Sequence, residues 1–252
     1  MAWSSAELLR EALVVPRGAY LKLPDLEVIE RPGWMQIITP SVRDGGLNEV
    51  ALAVLDPAEA DAVIDATLER YRGIKFRWTV GPDSAPADLG ARLARRGLVH
   101  SISHAMTRTT AGEVTAPPPE ITIDRVDHAT VDAFSRVMAE GWASDLARVA
   151  AINDLVLRSH PQHHLYLARI AGEPAASAVQ VRFARSTYLL GAVVLPRFRR
   201  RGLYRALVDA RLADARAAGL DLATSHALAA TSAPLLARMG FETACTLDVY
   251  SG

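Results

Sequence analysis

Five arginines fall between Arg197 and Arg205, with one glycine, Gly202, among them. The run before them, Val194-Leu195-Pro196, is apolar and stops at a proline, which cannot donate to a sheet ladder. After them, Leu203, Ala206, Leu207, Ala210, Ala213 and Ala217 recur at helical spacing, and Gly219 is placed to end the helix. A strand, a basic loop and a helix N-terminus make a cradle for phosphate. The first N–H groups of a helix have no intrahelical acceptor, and with the macrodipole they favour an anion. Gly202 lets the backbone approach a bulky pyrophosphate, and guanidiniums supply fork-shaped donors. A solvated basic turn and a nucleic-acid patch are the competing readings. A nucleic-acid surface spreads its basic residues over a face and interleaves aromatics. No comparable excess occurs elsewhere in this chain, so no nucleic-acid partner is expected.

The elements that must position this loop read in order. Val131 to Trp142 carries Val131, Phe134, Val137 and Met138 at helical spacing, and Asn153 to Arg158 adds more helix. Leu165 to Ile170 is a strand, Ala171 to Pro174 a turn, and Ala175 to Phe183 and Thr187 to Val194 two further strands. A strand from Leu220 to Ser225 and a short helix ending near Gly240-Phe241 follow the basic loop. Upstream, the stretch from Thr109 to Pro119 contains three prolines among small and polar residues, which suits an exposed linker. It divides the chain into 1–110 and 120–252. The halves echo each other: Ser84-Ala85-Pro86 with Gly97-Leu98 in the first, Ser232-Ala233-Pro234 with Gly240-Phe241 in the second. The shared order of parts points to a tandem duplication.

The segment Arg199-Arg200-Arg201-Gly202-Leu203-Tyr204 resembles the coenzyme A loop of the GNAT family of N-acetyltransferases, whose signature is Gln/Arg-x-x-Gly-x-Gly/Ala. It matches at the first and fourth positions and departs at the sixth, where Tyr204 replaces a small residue. The hydrophobic–x–Pro lead-in and the Gly-Phe pair are also similar to the family's. The resemblance implies an α/β (α+β) GNAT fold: a mixed, mostly antiparallel sheet with splayed central parallel strands, flanked by helices and here duplicated. It implies acetyl-CoA as co-substrate, with pyrophosphate over Arg199, Arg200, Arg201, Gly202, Leu203, Tyr204 and Arg205, and pantetheine along Ala192, Val193, Val194 and Leu195. It implies transfer to a primary amine, here taken to be that of a small molecule. A protein-lysine acetyltransferase and a non-catalytic acyl-CoA sensor are the alternatives.

Aminolysis needs a neutral amine, an oriented thioester and a proton for the departing thiolate. His226, at a strand end that opens on the reaction centre in this fold, is the candidate base. Glu140 and Asp145 flank Trp142 where the family builds its acceptor pocket, and Glu140 is the second catalytic candidate. Many family members carry a tyrosine acid four residues before the glycine of Gly-Phe; here that position is Leu236. His160, His163 and His164 lack a carboxylate or cysteine at metal-ligand spacing, so no metal is expected. In the first half, the segment after Pro57 has no glycine or arginine and carries Glu59 and Asp61 where pyrophosphate would sit, so this half reads as a degenerate copy. Trp34 and Asn48 receive no role.

Composition bounds the rest. The 252 residues carry 28 basic and 28 acidic side chains, so no net field steers the protein to anionic partners. Cys245 is the only cysteine, which excludes an intrachain disulfide and fits a cytoplasmic protein. It lies in an apolar stretch and reads as core. No apolar run reaches membrane-spanning length and no signal peptide is apparent. A monomer or homodimer is expected.

Overall fold

The computed structural model describes residues 3–44 and 46–252. It divides into two compact units, one formed by Met1–Met106 with Ala227–Gly252, the other by Thr107–His226. The composition break at 110–120 is therefore not the only seam. Residues after His226, which the linker assigns to the second half, pack with the first.

The second unit holds β6 (Ile121–Arg125), α4 (Val131–Trp142), α5 (Leu146–Ser159), β7 (His163–Ile170), β8 (Glu173–Arg182), β9 (Ser186–Val194), α6 (Leu203–Ala217) and the start of β10 (Leu222–Leu228). Its strand order is β10-β9-β8-β7-β6. Every neighbouring pair is antiparallel except β9 with β10. The mixed, mostly antiparallel sheet flanked by helices is as expected. Helix α5 begins a full two turns before Asn153, because Asp145 caps it by accepting from the Arg148 N–H at 2.8 Å.

Alternation along the strands sends side chains to two covered faces. Val193 meets Gly141 of α4, while its neighbour Ala192 shares a face with Gln180, whose amide donates to the carbonyl of Arg211 in α6. The α6 face is unusually polar. Arg211, 2% exposed, donates to the carbonyls of Leu207 and Val179. The Tyr166 hydroxyl lies between two acceptors, the Gln180 carbonyl oxygen and the Asp214 carboxylate, and the carboxylate also accepts from Arg182. Such a network favours one packing of the helix on the sheet.

The first unit holds α1 (Ser5–Leu13), β1 (Glu27–Arg31), β2 (Trp34–Ile38), β3 (Glu49–Ala53), α2 (Ala60–Arg70), β4 (Arg77–Val80), α3 (Leu89–Arg95), most of β5 (Val99–Thr109), α7 (Ser232–Ala237) and β11 (Glu242–Ser251). Its strand order is β1-β2-β3-β4-β11-β5. The C-terminal strand pairs antiparallel with β4, Asp248 opposite Val80 and Tyr250 opposite Trp78. The hairpin, the third antiparallel strand, the helix and a parallel strand repeat the succession β7-β8-β9-α6-β10. The core on the α2 side gathers Trp34, Val50, Ile64, Trp78, Leu89 and Tyr250. Asn48 closes the β2–β3 loop, donating to the carbonyl of Val42 and accepting from the N–H of Thr39, both at 2.7 Å. Cys245 is half-buried against Ala12, Leu13, Ala105 and Leu247, and burial pushes its thiol up, away from thiolate chemistry.

Candidate active site

The parallel pairing of β9 with β10 covers only Ser186–Leu222, Thr187–Ala223 and Tyr188–Thr224. Both strands run on past these pairs, and the backbone ladder between them does not. At the first unpaired step the Ser225 hydroxyl donates to the carbonyl of Leu189 at 3.0 Å. One residue beyond Leu190, Gly191 adopts φ +41°, and the β8–β9 register shifts between Ala178 and Val179. A bulge of this kind bends a strand and stops its pairing. The backbone of Ala192 to Leu195 thus lies beyond the last β9–β10 pair, with no β10 partner on that side. His226 follows directly after Ser225 on β10, its ring 5.2 Å from that of Tyr188 in an edge contact.

At the end of β9 the chain makes a single 3-10 turn, Pro196–Phe198, then the basic loop. Arg200 has φ +63° and Gly202 φ +88°, two left-handed residues within three positions. Gly202 is the N-cap of α6, and the first helical bond runs from the Ala206 N–H to the Gly202 carbonyl at 3.0 Å. The N–H groups of Leu203, Tyr204 and Arg205 precede that bond and lie at the positive end of a 15-residue helix. A Cβ built on Gly202 would find only Ile121 Cδ1, at 3.8 Å, so the glycine serves backbone conformation and the open space in front of the helix.

The arginines divide by partner. Arg197 pairs with Glu140 and approaches Glu173 at 3.6 Å. Arg199 turns back and donates from Nε to the carbonyl of Val194 at 3.2 Å. Arg205 reaches Thr115 Oγ1 at 3.5 Å. Arg200 and Arg201 are exposed and have no hydrogen-bond or ion-pair partner among the described residues. Tyr204 does not line the front of the loop. It is drawn inward on the face of α6 that also carries Arg211, and burial pushes its phenol up against the opposing effect of that guanidinium. Leu203 and Leu195, each 1% exposed, contribute backbone only.

The donor set and the open N-terminus fit the diphosphate of coenzyme A, and the bent end of β9 fits its extended arm. Of the two expected catalytic side chains, His226 lies on the strand that leaves β9, whereas Glu140 is occupied by Arg197. Asp145 serves as a helix cap. Leu236, on α7, is 1% exposed in the first unit's interior. His163 and His160 stack edge to face, and His164 accepts from Arg125. Among the described residues no group of three or more histidines, cysteines or carboxylates is arranged to hold a metal. Likewise, no described helix is long and apolar enough to cross a membrane.

Three contributors had little sequence signal. Gly141 lets α4 press on Val193, and its only trace is a glycine inside a helical pattern, which costs about 1 kcal/mol relative to alanine unless packing requires it. Ser225 and the Arg197–Glu140 pair join residues far apart in sequence and leave no local mark.

Residues 127–241 match the sequence model described as the acetyltransferase (GNAT) family. This segment belongs to the GNAT family. It is an acyltransferase domain, and acetyl-CoA-dependent acetylation is the general reaction of the GNAT family. Similar solved folds extend over nearly the whole chain. A GCN5-related N-acetyltransferase from Kribbella flavida superposes with a TM-score of 0.70 at 17% identity, covering 97% of this chain and 95% of that one. A tandem GNAT protein from the clavulanic acid biosynthesis pathway gives 0.61 at 13%, covering 96% and 87%. A functionally unknown conserved protein from Staphylococcus epidermidis gives 0.69 at 11%, covering 91% and 95%. At these identities the likeness is one of fold. No curated protein matches the sequence.

The first unit offers a contrast at the equivalent place. Parallel pairing of β3 with β4 also stops early, after Glu49–Arg77 and Val50–Trp78. There, however, Ala85 fills the opening. Its N–H donates to the carbonyl of Ala53 at 2.9 Å, and its carbonyl accepts from Leu55 at 3.0 Å. The helix entry is occupied as well, since the Ala58 N–H is bound by the Asp56 carboxylate at 2.8 Å and Asp61 is paired with Arg92 and Arg96.

Proposed function

We propose that this protein transfers the acetyl group of acetyl-CoA to a primary amine of a small molecule, using the second unit's cradle and one cofactor molecule per chain. The reading rests chiefly on one observation: a left-handed Gly202 caps α6 beside a strand, β9, that has parted from its parallel neighbour. Acetyl-CoA supplies an activated acetyl thioester. Arg200, Arg201 and the N–H groups of Leu203 to Arg205 hold the diphosphate. The Ala192–Leu195 backbone holds the pantetheine arm in extended form.

In this reading His226 takes the proton that the amine nitrogen loses as it attacks, leaving the amine's electron pair to form the amide bond. The thioester C–S bond breaks, and the departing thiolate takes its proton from solvent, since Leu236 supplies none. Glu140 acts as a tether. Its pairing with Arg197 ties the end of α4 to the start of the cofactor loop, so acceptor and donor sides hold one spacing.

The test is thiol release from acetyl-CoA in the presence of a panel of amines, from aminosugars and polyamines to lysine-containing peptides. Turnover of small amines with peptides inert supports the reading. Turnover confined to peptides overturns the substrate class. Cofactor binding without turnover of any amine overturns the catalytic role.

A further inference from the structure

Trp34, left without a role by its sequence, lines a groove of about 230 Å³ in the first unit. The groove has a structural origin. In the second unit the strand before the hairpin, β6, pairs with β7 and finishes that side of the sheet. In the first unit no described strand pairs with the outer side of β1, which stands at the end of the strand order. Helix α2 therefore overhangs an unfinished edge. Its stripe Val63, Thr67 and Arg70 faces the cross-strand pairs Ile29–Gln36 and Arg31–Trp34 of the hairpin.

The polar atoms along this groove are mainly donors, and none of the lining residues is a carboxylate. The Arg31 guanidinium lies 5.0 Å from the centre of the Trp34 ring and makes no ion pair among the described residues. Stacking on an indole orients the planar group and leaves its N–H edges for a planar anion. Trp34 is 3% exposed, and its Nε1 has no acceptor among the described residues, a condition it shares with the core Trp78. Arg70, at the other side, shares its charge with Glu27 at 2.6 Å. The Thr67 hydroxyl donates to the carbonyl of Val63, so it offers only lone pairs. Two cations against one neighbouring carboxylate leave the groove positive, with an apolar floor of Ile29 and Val63.

The geometry points to a second binding site, in the first unit, for a small monocarboxylate with an apolar body, its carboxylate forked on Arg31 and its body against Trp34 and Val63. The site is distinct from the cofactor cradle and does not depend on the proposed acceptor.

Phenylacetate serves as probe, with the uncharged phenylacetamide and the cationic benzylamine as controls, each titrated into the full chain by calorimetry. Phenylacetate is expected to bind at one site per chain and the two controls at least tenfold more weakly. Arg31→Gln, a change at an exposed side chain, is expected to weaken phenylacetate at least tenfold while leaving coenzyme A affinity unchanged. Ala66→Trp, which plugs the groove from the exposed side of α2, is expected to abolish binding. Both variants avoid the core, so neither result depends on substituting Trp34. Absence of phenylacetate binding, equal binding of phenylacetamide, or unchanged affinity in either variant overturns the site.

Discussion

Gly141 of α4 stands so close to Val193 of β9 that a Cβ added to it would lie 2.5 Å from Val193 Cγ2 and 2.7 Å from Cγ1. Val193 belongs to the strand segment assigned to the pantetheine arm, so the helix seats the strand directly. Gly141→Ala is expected to act against helix propensity. An exposed glycine replaced in a helix gains about 1 kcal/mol, whereas overpacking here costs about 1–3 kcal/mol. A lower urea midpoint together with a raised KM for acetyl-CoA is the expected result. A higher midpoint with unchanged KM would show that the contact relaxes freely.

Gly202→Asp places a side chain at φ +88° and a negative charge where diphosphate is to sit. Coenzyme A affinity is expected to fall at least tenfold, about 1.4 kcal/mol. The same calorimetry on the unsubstituted chain is expected to give one site. Ala85 and Asp56 already hold the corresponding backbone groups in the first unit, and a stoichiometry near two would contradict that account.

His226→Ala is expected to lower kcat by roughly 10²-fold while leaving coenzyme A affinity nearly intact. Only an unprotonated imidazole accepts a proton, so the wild-type rate should rise with pH. The amine's own deprotonation also gives a rising limb, so the decisive comparison is the profile of the variant with wild type on one acceptor. An unchanged kcat and an identical limb would remove His226 from the proton path.

His164 supplies a pH effect on stability. Burial, aided by the charges of Arg125 and Arg182, lowers its pKa from 6.5 to about 4, with Asp214 opposing. The native state then refuses a proton that the unfolded chain accepts below about 6.5. The sign follows: stability is intact above that value and falls as pH drops towards about 4, by at most about 1.4 kcal/mol per pH unit from this residue. His164→Gln should flatten the dependence of the urea midpoint on pH over this window. An unchanged slope would assign the acid sensitivity to other groups.

Periodic segments were legible in the sequence, and pairings between distant segments were not. Val131, Phe134 and Val137 mark one stripe, and α4 spans Val131–Trp142 as read. Helix α6 was equally clear because Leu203, Ala206 and Leu207 are all buried in it. The sequence marks helix α5 only from Asn153, since its first turn presents an exposed Leu146 and its start signal is Asp145, a carboxylate that suits ligand binding equally well. The basic loop announced itself by composition, but its division of labour did not. Nothing in the run of arginines distinguishes Arg197, bound to Glu140, from Arg200 and Arg201. Tyr204 stood out as a departure from the family signature, and only packing shows its ring turned inward.

The antiparallel pairing of β11 with β4 has a consequence for how the chain is made. The ribosome delivers residues in order, and elements of the first unit can begin to gather as they emerge. Its sheet, however, cannot be finished until Glu242–Ser251 have emerged, long after β4. Until then Trp78 and Thr79 lie on a strand lacking that partner, an open edge that invites mispairing. The second unit can therefore complete itself before the first, in reverse of their order along the chain. A chain cut after Thr109 would lack β11 altogether, so the first unit should not be obtainable as a stable fragment on its own.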